Sequence, residues 1–323
     1  MKALTPLRGL AALAVLAYHA EAPIRGYLGV DLFFLLSGFV LMHAYGRMET
    51  TWRAYGSFLK ARLARIYPVH FLMLVLLLPL FGSGPAFSPW GLAASVLLLQ
   101  GPWHEMCWNF GSWSISAEWH AYLAFPLLAK TYSAKSARAL FATLLACAAV
   151  VGLNDYFRGT GNITNTVVML LRCFPEFIAG MILYRLREMG ALPAWISSDR
   201  AFALALVGIV GCEALKLTDG VTIGLLPVLL LAAARDESAF ARFLDRQPFR
   251  WLGEASYSIY MVQTVVLAGL SEVLPRLGPW THGLLFCGLS ILLAAPLSRF
   301  VEYPARSALR GLRLPQAAEG VRA

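Results

Sequence analysis

The chain has 323 residues, 59% of them hydrophobic and only 14% charged, with a mean hydropathy of +0.64. Soluble domains carry about 25% charged residues, so this composition excludes a soluble enzyme and implies a polytopic membrane protein. The net charge of +9 is assigned to topology and not to a nucleic-acid partner, because Lys and Arg gather on the cytoplasmic side of membrane proteins.

Apolar runs of about 17–25 residues are read as spans. The first covers 5–22 and carries Arg8 and His19 inside it. With no small-residue cleavage site after it, it is not expected to be a cleaved signal. A turn with Pro23 and Gly26 leads to a second span, 29–46. In 47–66, Arg47, Arg53, Lys60, Arg62 and Arg65 alternate with Trp52, Tyr55, Phe58, Leu59, Leu63 and Ile66. That pattern predicts an amphipathic helix on the cytoplasmic membrane surface, followed by a third span at 67–82. Residues 83–112 hold an apolar piece, Leu92–Leu99, too short to span, and are read as a re-entrant segment with a Trp-rich outer loop. Spans then follow at 113–129, 137–153, 166–185, 201–217, 220–234, 255–274 and 281–301. The expected fold is an all-α bundle of about ten transmembrane helices forming one membrane domain over 1–323, with no soluble C-terminal domain. With the N-terminus inside, 22 of the 27 basic residues fall on inner segments, four outside (Arg25, Arg158, Lys216, Arg276) and Arg172 within a span. That bias puts both termini in the cytoplasm. The five cysteines are scattered, with neither a disulfide framework nor metal-ligand spacing, so no metal is expected.

Ionisable residues inside spans are costly and are functional candidates. Arg8 and His19 stand eleven residues apart, close to three helical turns, so they share a face about 16 Å apart along the axis. The short turn after the first span lets Asp31 approach His19, where a carboxylate would orient the imidazole and make its other nitrogen a better base. The same pair could equally be structural glue between two spans. Arg62 and Arg65 lie one turn apart; paired guanidiniums suit phosphates, although anionic lipid would attract them too. In the Ser114–Trp119 stretch, Glu118 is flanked by Trp113 and Trp119 and reads as an acceptor-binding or proton-handling carboxylate, or as part of an aromatic belt. Trp113, Ser116 and Trp119 are candidate substrate contacts. His120 is expected to bond locally, and Arg172 and Glu176, four apart, to form an intramembrane ion pair.

Five stretches in this order resemble the acyltransferase-3 family of bacterial integral membrane acyltransferases. They are Leu7-Arg8-Gly9-Leu10-Ala11-Ala12 running to His19, similar to an Arg/Lys-x10-His signature; Gly29 to Phe39, similar to "GVDLFFVLSGF"; and Arg62-Leu63-Ala64-Arg65-Ile66-Tyr67-Pro68. Trp113 to Trp119 then resembles "WSLSVEW", followed by Tyr122 and Phe125-Pro126, and the last is Ser256 to Tyr260 with Val301-Glu302-Tyr303-Pro304. The resemblance implies transfer of an acyl group, usually acetyl, from cytoplasmic acyl-coenzyme A to a hydroxyl of a surface or exported glycan, free or lipid-linked, at the bacterial inner membrane. Smaller branches of the family modify antibiotics or other small molecules. It implies that His19 is the catalytic base, that Arg8, Arg62 and Arg65 hold the coenzyme A phosphates, that Asp31 supports the His, and that Glu118 serves the acceptor side. Membrane lipids are the other expected partner.

Two departures stand out. Where the family often has a His beyond the Ser256–Tyr260 stretch, this chain has Gln263, which cannot be a base, so its expected role is structural. Tyr303 replaces a Lys. The other classes considered are a proton-and-anion transporter using Arg8, His19 and Asp31, and an acyl carrier without acceptor chemistry.

Overall fold

A computed structural model describes residues 1–81, 88–101, 108–159, 169–274 and 278–310. The described residues are helical, with no strand among them. In order they form α1 (Leu4–His19), α2 (Gly29–Tyr45), α3 (Trp52–Phe81), α4 (Pro89–Val96), α5 (Trp113–Ser133), α6 (Ala137–Arg158), α7 (Leu170–Glu188), α8 (Asp199–Ala214), α9 (Asp219–Ala233), α10 (Ala239–Leu244), α11 (Gln247–Val273), α12 (Pro279–Leu297) and α13 (Tyr303–Arg310). Serines begin several of them: Ser88, Ser136, Ser198 and Ser238 each accept a hydrogen bond from the amide three residues on, meeting one of the donors that a helix start leaves open.

Four of the ten expected spans lie in helices long and apolar enough to cross a membrane: Gly26–Tyr45, Trp52–Pro79, Ala137–Arg158 and Pro279–Ala308. The other six lie in helices that are shorter (α1, α8, α9) or more polar (α5, α7, α11). The basic segment 47–66 is not a separate surface helix. Its residues from Trp52 onward form one helix with the third span, because α3 runs through Pro68 to Phe81. Tyr257 of α11 donates to the carbonyl of Ile66 beside that proline, and Arg62 and Arg65 lie along the helix with their side chains half-buried. Of the expected re-entrant segment, α4 and the turn Phe110–Ser112 are described; 83–87 and 102–107 lie outside the described residues.

Two helix pairs fix the core. A Cβ on Gly9 of α1 would lie 2.6 Å from the Gly253 amide nitrogen of α11, and one on Gly253 would overlap the Thr5 carbonyl. Likewise a Cβ on Gly38 of α2 would overlap the Phe177 carbonyl of α7, and one on Gly180 the Leu35 carbonyl. Both pairs run parallel at constant offset. Gly9 faces Gly253 as His19 faces Gln263, 244 residues on; Asp31, His43 and Arg47 face Arg172, Tyr184 and Glu188, 141 residues on. Backbone contact through small residues is how helices associate where no hydrophobic force separates them from lipid.

A side chain at Gly180 has no room. Gly180→Val should cost about 1–3 kcal/mol or more, read as a lower Tm of the purified protein in detergent. A wild-type Tm would show that α2 and α7 do not meet there.

Candidate active site

Arginines from three helices converge on one cavity. Arg8 (α1), Arg62 and Arg65 (α3) and Arg306 (α13) line a space of about 290 Å³ together with Ser37, Tyr45, Glu118 and Tyr122. Four guanidiniums face one carboxylate, so the cavity is an anion site by charge. Arg62 is held by aromatic rings: its Nη2 donates to the Tyr45 hydroxyl at 3.2 Å, and its Cζ lies 5.2 Å from the Tyr45 ring and 6.0 Å from that of Tyr122. These contacts orient a cation without neutralising it. Arg306 was not singled out from the sequence. It is placed by Glu302, which is fully buried, pairs with Arg306 one turn on and accepts from Ser258 Oγ at 2.7 Å.

Glu118, expected on the acceptor side, lies in the wall of this cavity with the arginines. Its Oε1 accepts from Ser37 Oγ at 2.6 Å. The reason is the course of α5, which starts at Trp113 and brings Glu118 inward against α2 within two turns. A second, narrow space of about 30 Å³ shares Arg8, Phe33 and Glu118 with the first and continues to Ser114, Ser256, Tyr257 and Tyr260. Tyr260 receives a hydrogen bond from Ser114 Oγ at 2.9 Å and meets Phe33 edge-on at 6.1 Å. One turn further along α11 is Gln263.

His19 ends α1, half-buried, outside the walls of these two spaces. The chain leaves the helix immediately, through Glu21 at φ 62°. Its partner is not Asp31. Gln263 Oε1 lies 2.6 Å from His19 Nδ1. Asp31 is fully buried and takes a two-point contact from Arg172, Nε at 2.7 Å and Nη2 at 2.6 Å. Arg172 also donates to the Tyr27 carbonyl at 3.1 Å and stands 5.2 Å from the Trp113 ring. Closeness in sequence misled: the α2–α7 register points Asp31 at α7, away from α1. The expected Arg172–Glu176 pair is displaced for the same reason, and Glu176 lies buried beside it.

The expected substrate contacts fare differently from the arginines. Trp113 is buried beneath Arg172, and Ser116 is buried with its Oγ on the Leu98 carbonyl at 2.7 Å. Trp119 packs against the core, half-buried. None of the three lines either space. His120 bonds locally, to the Ser116 carbonyl at 2.7 Å.

A family model described as an acyltransferase domain matches residues 1–299, and the chain belongs to that family. "Protein 2 in picA locus" of Rhizobium radiobacter is 51% identical over 82 residues, 23% of this chain and 42% of that protein. Exopolysaccharide production protein ExoZ of Rhizobium meliloti is 26% identical over 85% of this chain and 83% of its own length. O-acetyltransferase OatA of Staphylococcus aureus is 24% identical over 93% of this chain and 56% of its own. The chain thus spans about half the length of two of these three relatives. No solved structure matches.

The buried Asp31–Arg172 pair can be tested without any substrate. Asp31→Leu or Arg172→Met alone leaves one buried charge uncompensated and should cost about 3–5 kcal/mol. The double variant should lose less than the sum of the two, by Tm in detergent. Strict additivity would show that the pair does not form.

Proposed function

We propose that this member of the acyltransferase family is a multi-pass O-acyltransferase of the bacterial inner membrane, transferring an acyl group, with acetyl the expected one, from cytoplasmic acyl-coenzyme A to a hydroxyl of an envelope or exported glycan. The observation that carries this reading is the layout of α1. One of its ends contributes Arg8 to a cavity with four arginines, and the other end is His19, held by a side-chain hydrogen bond.

Coenzyme A carries its charge on phosphates at one end and its thioester at the end of a long thin arm. Guanidinium forks match phosphate oxygens, so Arg8, Arg62, Arg65 and Arg306 are assigned to the nucleotide end. Arg8 and His19 are separated by about 16 Å of helix, similar to the length of the extended arm, which brings the thioester to the imidazole. There His19 Nε2 takes the proton of the acceptor hydroxyl. The oxygen attacks the thioester carbonyl, the C–S bond breaks, and the departing sulfur is protonated to the free thiol. Among the described residues no Ser or Cys hydrogen-bonds His19, which favours direct attack over an acyl-Ser or acyl-Cys intermediate.

Ten spans with both termini in the cytoplasm remain our assignment. The parallel pairing of α1 with α11 and of α2 with α7 supports it, since these are the first with the ninth and the second with the sixth of the proposed spans. The acceptor class rests on the exopolysaccharide named in one relative and on the acyl transfer common to the family.

Thiol release from acetyl-coenzyme A by purified protein in detergent, with and without a glycan fraction, tests the reading. Release should need the glycan. His19→Ala should reduce it at least about 100-fold and leave coenzyme A binding intact. Arg65→Ala should weaken that binding about 10-fold, the effect of losing one charge-assisted hydrogen bond. Near-full turnover in His19→Ala would refute the assignment of the base.

A further inference from the structure

Gln263 meets His19 with one arm of its amide and keeps the other arm unused. It is only 4% exposed. Its Oε1 lies 2.6 Å from His19 Nδ1, while its Nε2 is buried with no hydrogen-bond partner. An amide oxygen only accepts, so the neutral imidazole carries its proton on Nδ1 and keeps the lone pair on Nε2. Buried amide donors are ordinarily satisfied, and an unsatisfied one beside the proposed base points to a substrate atom.

The placement is fixed by the fold. Gln263 follows Gly253 by ten residues on α11 as His19 follows Gly9 by ten on α1, and the two glycines hold these parallel helices in contact. Gln263 also continues the face of α11 that carries Ser256 and Tyr260, which line the narrow space beside Arg8 and Glu118. Asn109 secures the neighbouring turn, accepting from Thr264 Oγ1 at 2.8 Å and donating to the Met261 carbonyl at 3.2 Å.

We propose that Gln263 is a positioning and substrate-binding residue. Its Oε1 holds His19 in the Nδ1–H tautomer with Nε2 as the base, and its Nε2–H donates to an oxygen of the substrate bound there. The substrate half of this proposal rests on the acyl-transfer reading; the tautomer half does not.

Among the described residues, the rings that meet His19 are Tyr18 on its own helix, ring centroid at 5.4 Å, and Phe110 from the turn before α5, at 6.1 Å. α12 reaches the end of α1 through Gly283, beside which His282 is the nearest titratable residue in sequence. Among the described residues no charged side chain hydrogen-bonds His19.

The first measurement needs no substrate. Diethyl pyrocarbonate modifies neutral imidazole, and its rate at His19 against pH, read by mass on the α1 peptide with His19→Ala as the blank, gives the titration midpoint. Gln263→Glu puts a carboxylate on Nδ1–H and should raise that midpoint by one pH unit or more. Gln263→Leu removes the acceptor and should lower it. Gln263→Asn, polar but one methylene short, should follow Gln263→Leu and serves if the apolar variant does not fold. An unmoved midpoint in Gln263→Glu overturns the contact with His19. The second measurement is turnover. Gln263→Leu should lower kcat about 100-fold with coenzyme A binding unchanged. Gln263→Glu, assayed above its raised midpoint, keeps the ring placed but lacks the N–H donor, and should stay at least about 10-fold below wild type. A rise in KM for the glycan assigns the N–H to the acceptor, and one for the thioester to the donor. Wild-type kcat/KM in Gln263→Glu at that pH overturns the donor role. If wild-type protein shows no turnover while the midpoint moves as stated, the acyl-transfer reading fails and the His19–Gln263 pairing stands.

Discussion

Backbone contact at glycine sets the register on which the polar pairs between α1 and α11 and between α2 and α7 depend. Lipid is as apolar as a leucine side chain, so helices inside it gain little from hydrophobic burial against one another. They associate through close packing and interhelical hydrogen bonds. Gly9 against Gly253 and Gly38 against Gly180 bring two pairs of helices to a separation that no Cβ allows. Once those contacts are made, the rest of each interface follows at constant offset. Along α2 and α7 it aligns Asp31 with Arg172, His43 with Tyr184 and Arg47 with Glu188. Along α1 and α11 it aligns His19 with Gln263. A slip of one turn, about 5.4 Å, between α2 and α7 would part the buried Arg172 from the buried Asp31, and one between α1 and α11 would part Gln263 from His19. Glycine packing and polar pairing therefore select the same register.

The arginine cavity is built on a different principle. Its cations come from α1, α3 and α13 and repel one another, and two of them are held by something other than an opposing charge in the cavity. Arg62 leans on aromatic rings, and Arg306 is anchored from behind by Glu302, itself fixed by Ser258. Among the described residues Glu118 is the one carboxylate in the wall, and Ser37 occupies one of its oxygens. The result is an excess of positive charge set in place by the scaffold. A site preorganised in this way attracts a polyanion without first having to collect its own side chains.

The parts of this arrangement that were legible in the sequence are those written locally. Apolar runs located most of the long helices, although α11 begins at Gln247 and α3 at Trp52, well before the expected spans at 255 and 67, and the spacing of Arg62 and Arg65 marks a cationic pair. What was not legible depends on which helices touch. Asp31 was read toward His19 because only a short turn separates them in the chain, but its partner is 141 residues away. Trp113 reads as a substrate contact, and it lies under the Arg172 guanidinium. α3 was divided at the change from basic to apolar residues, yet Pro68 does not end the helix. An amide is not a base, so Gln263 reads from the sequence as structural only. Its value lies in the acceptor it presents, and only the α1–α11 register reveals what receives it.

The cavity narrows abruptly, and that narrowing separates the two ends of the proposed chemistry. The wide part, about 290 Å³, is lined by the arginines; the narrow continuation past Glu118, about 30 Å³, has room for about one water. The wide part thus holds the positive charge, and the narrow part runs along the face of α11 as far as Tyr260, one turn before Gln263. Phe33 and Tyr260, in edge-to-face contact at 6.1 Å, stand on that route. So narrow a passage admits little water to the thioester, which is the condition an acyltransferase must meet to avoid acting as a hydrolase.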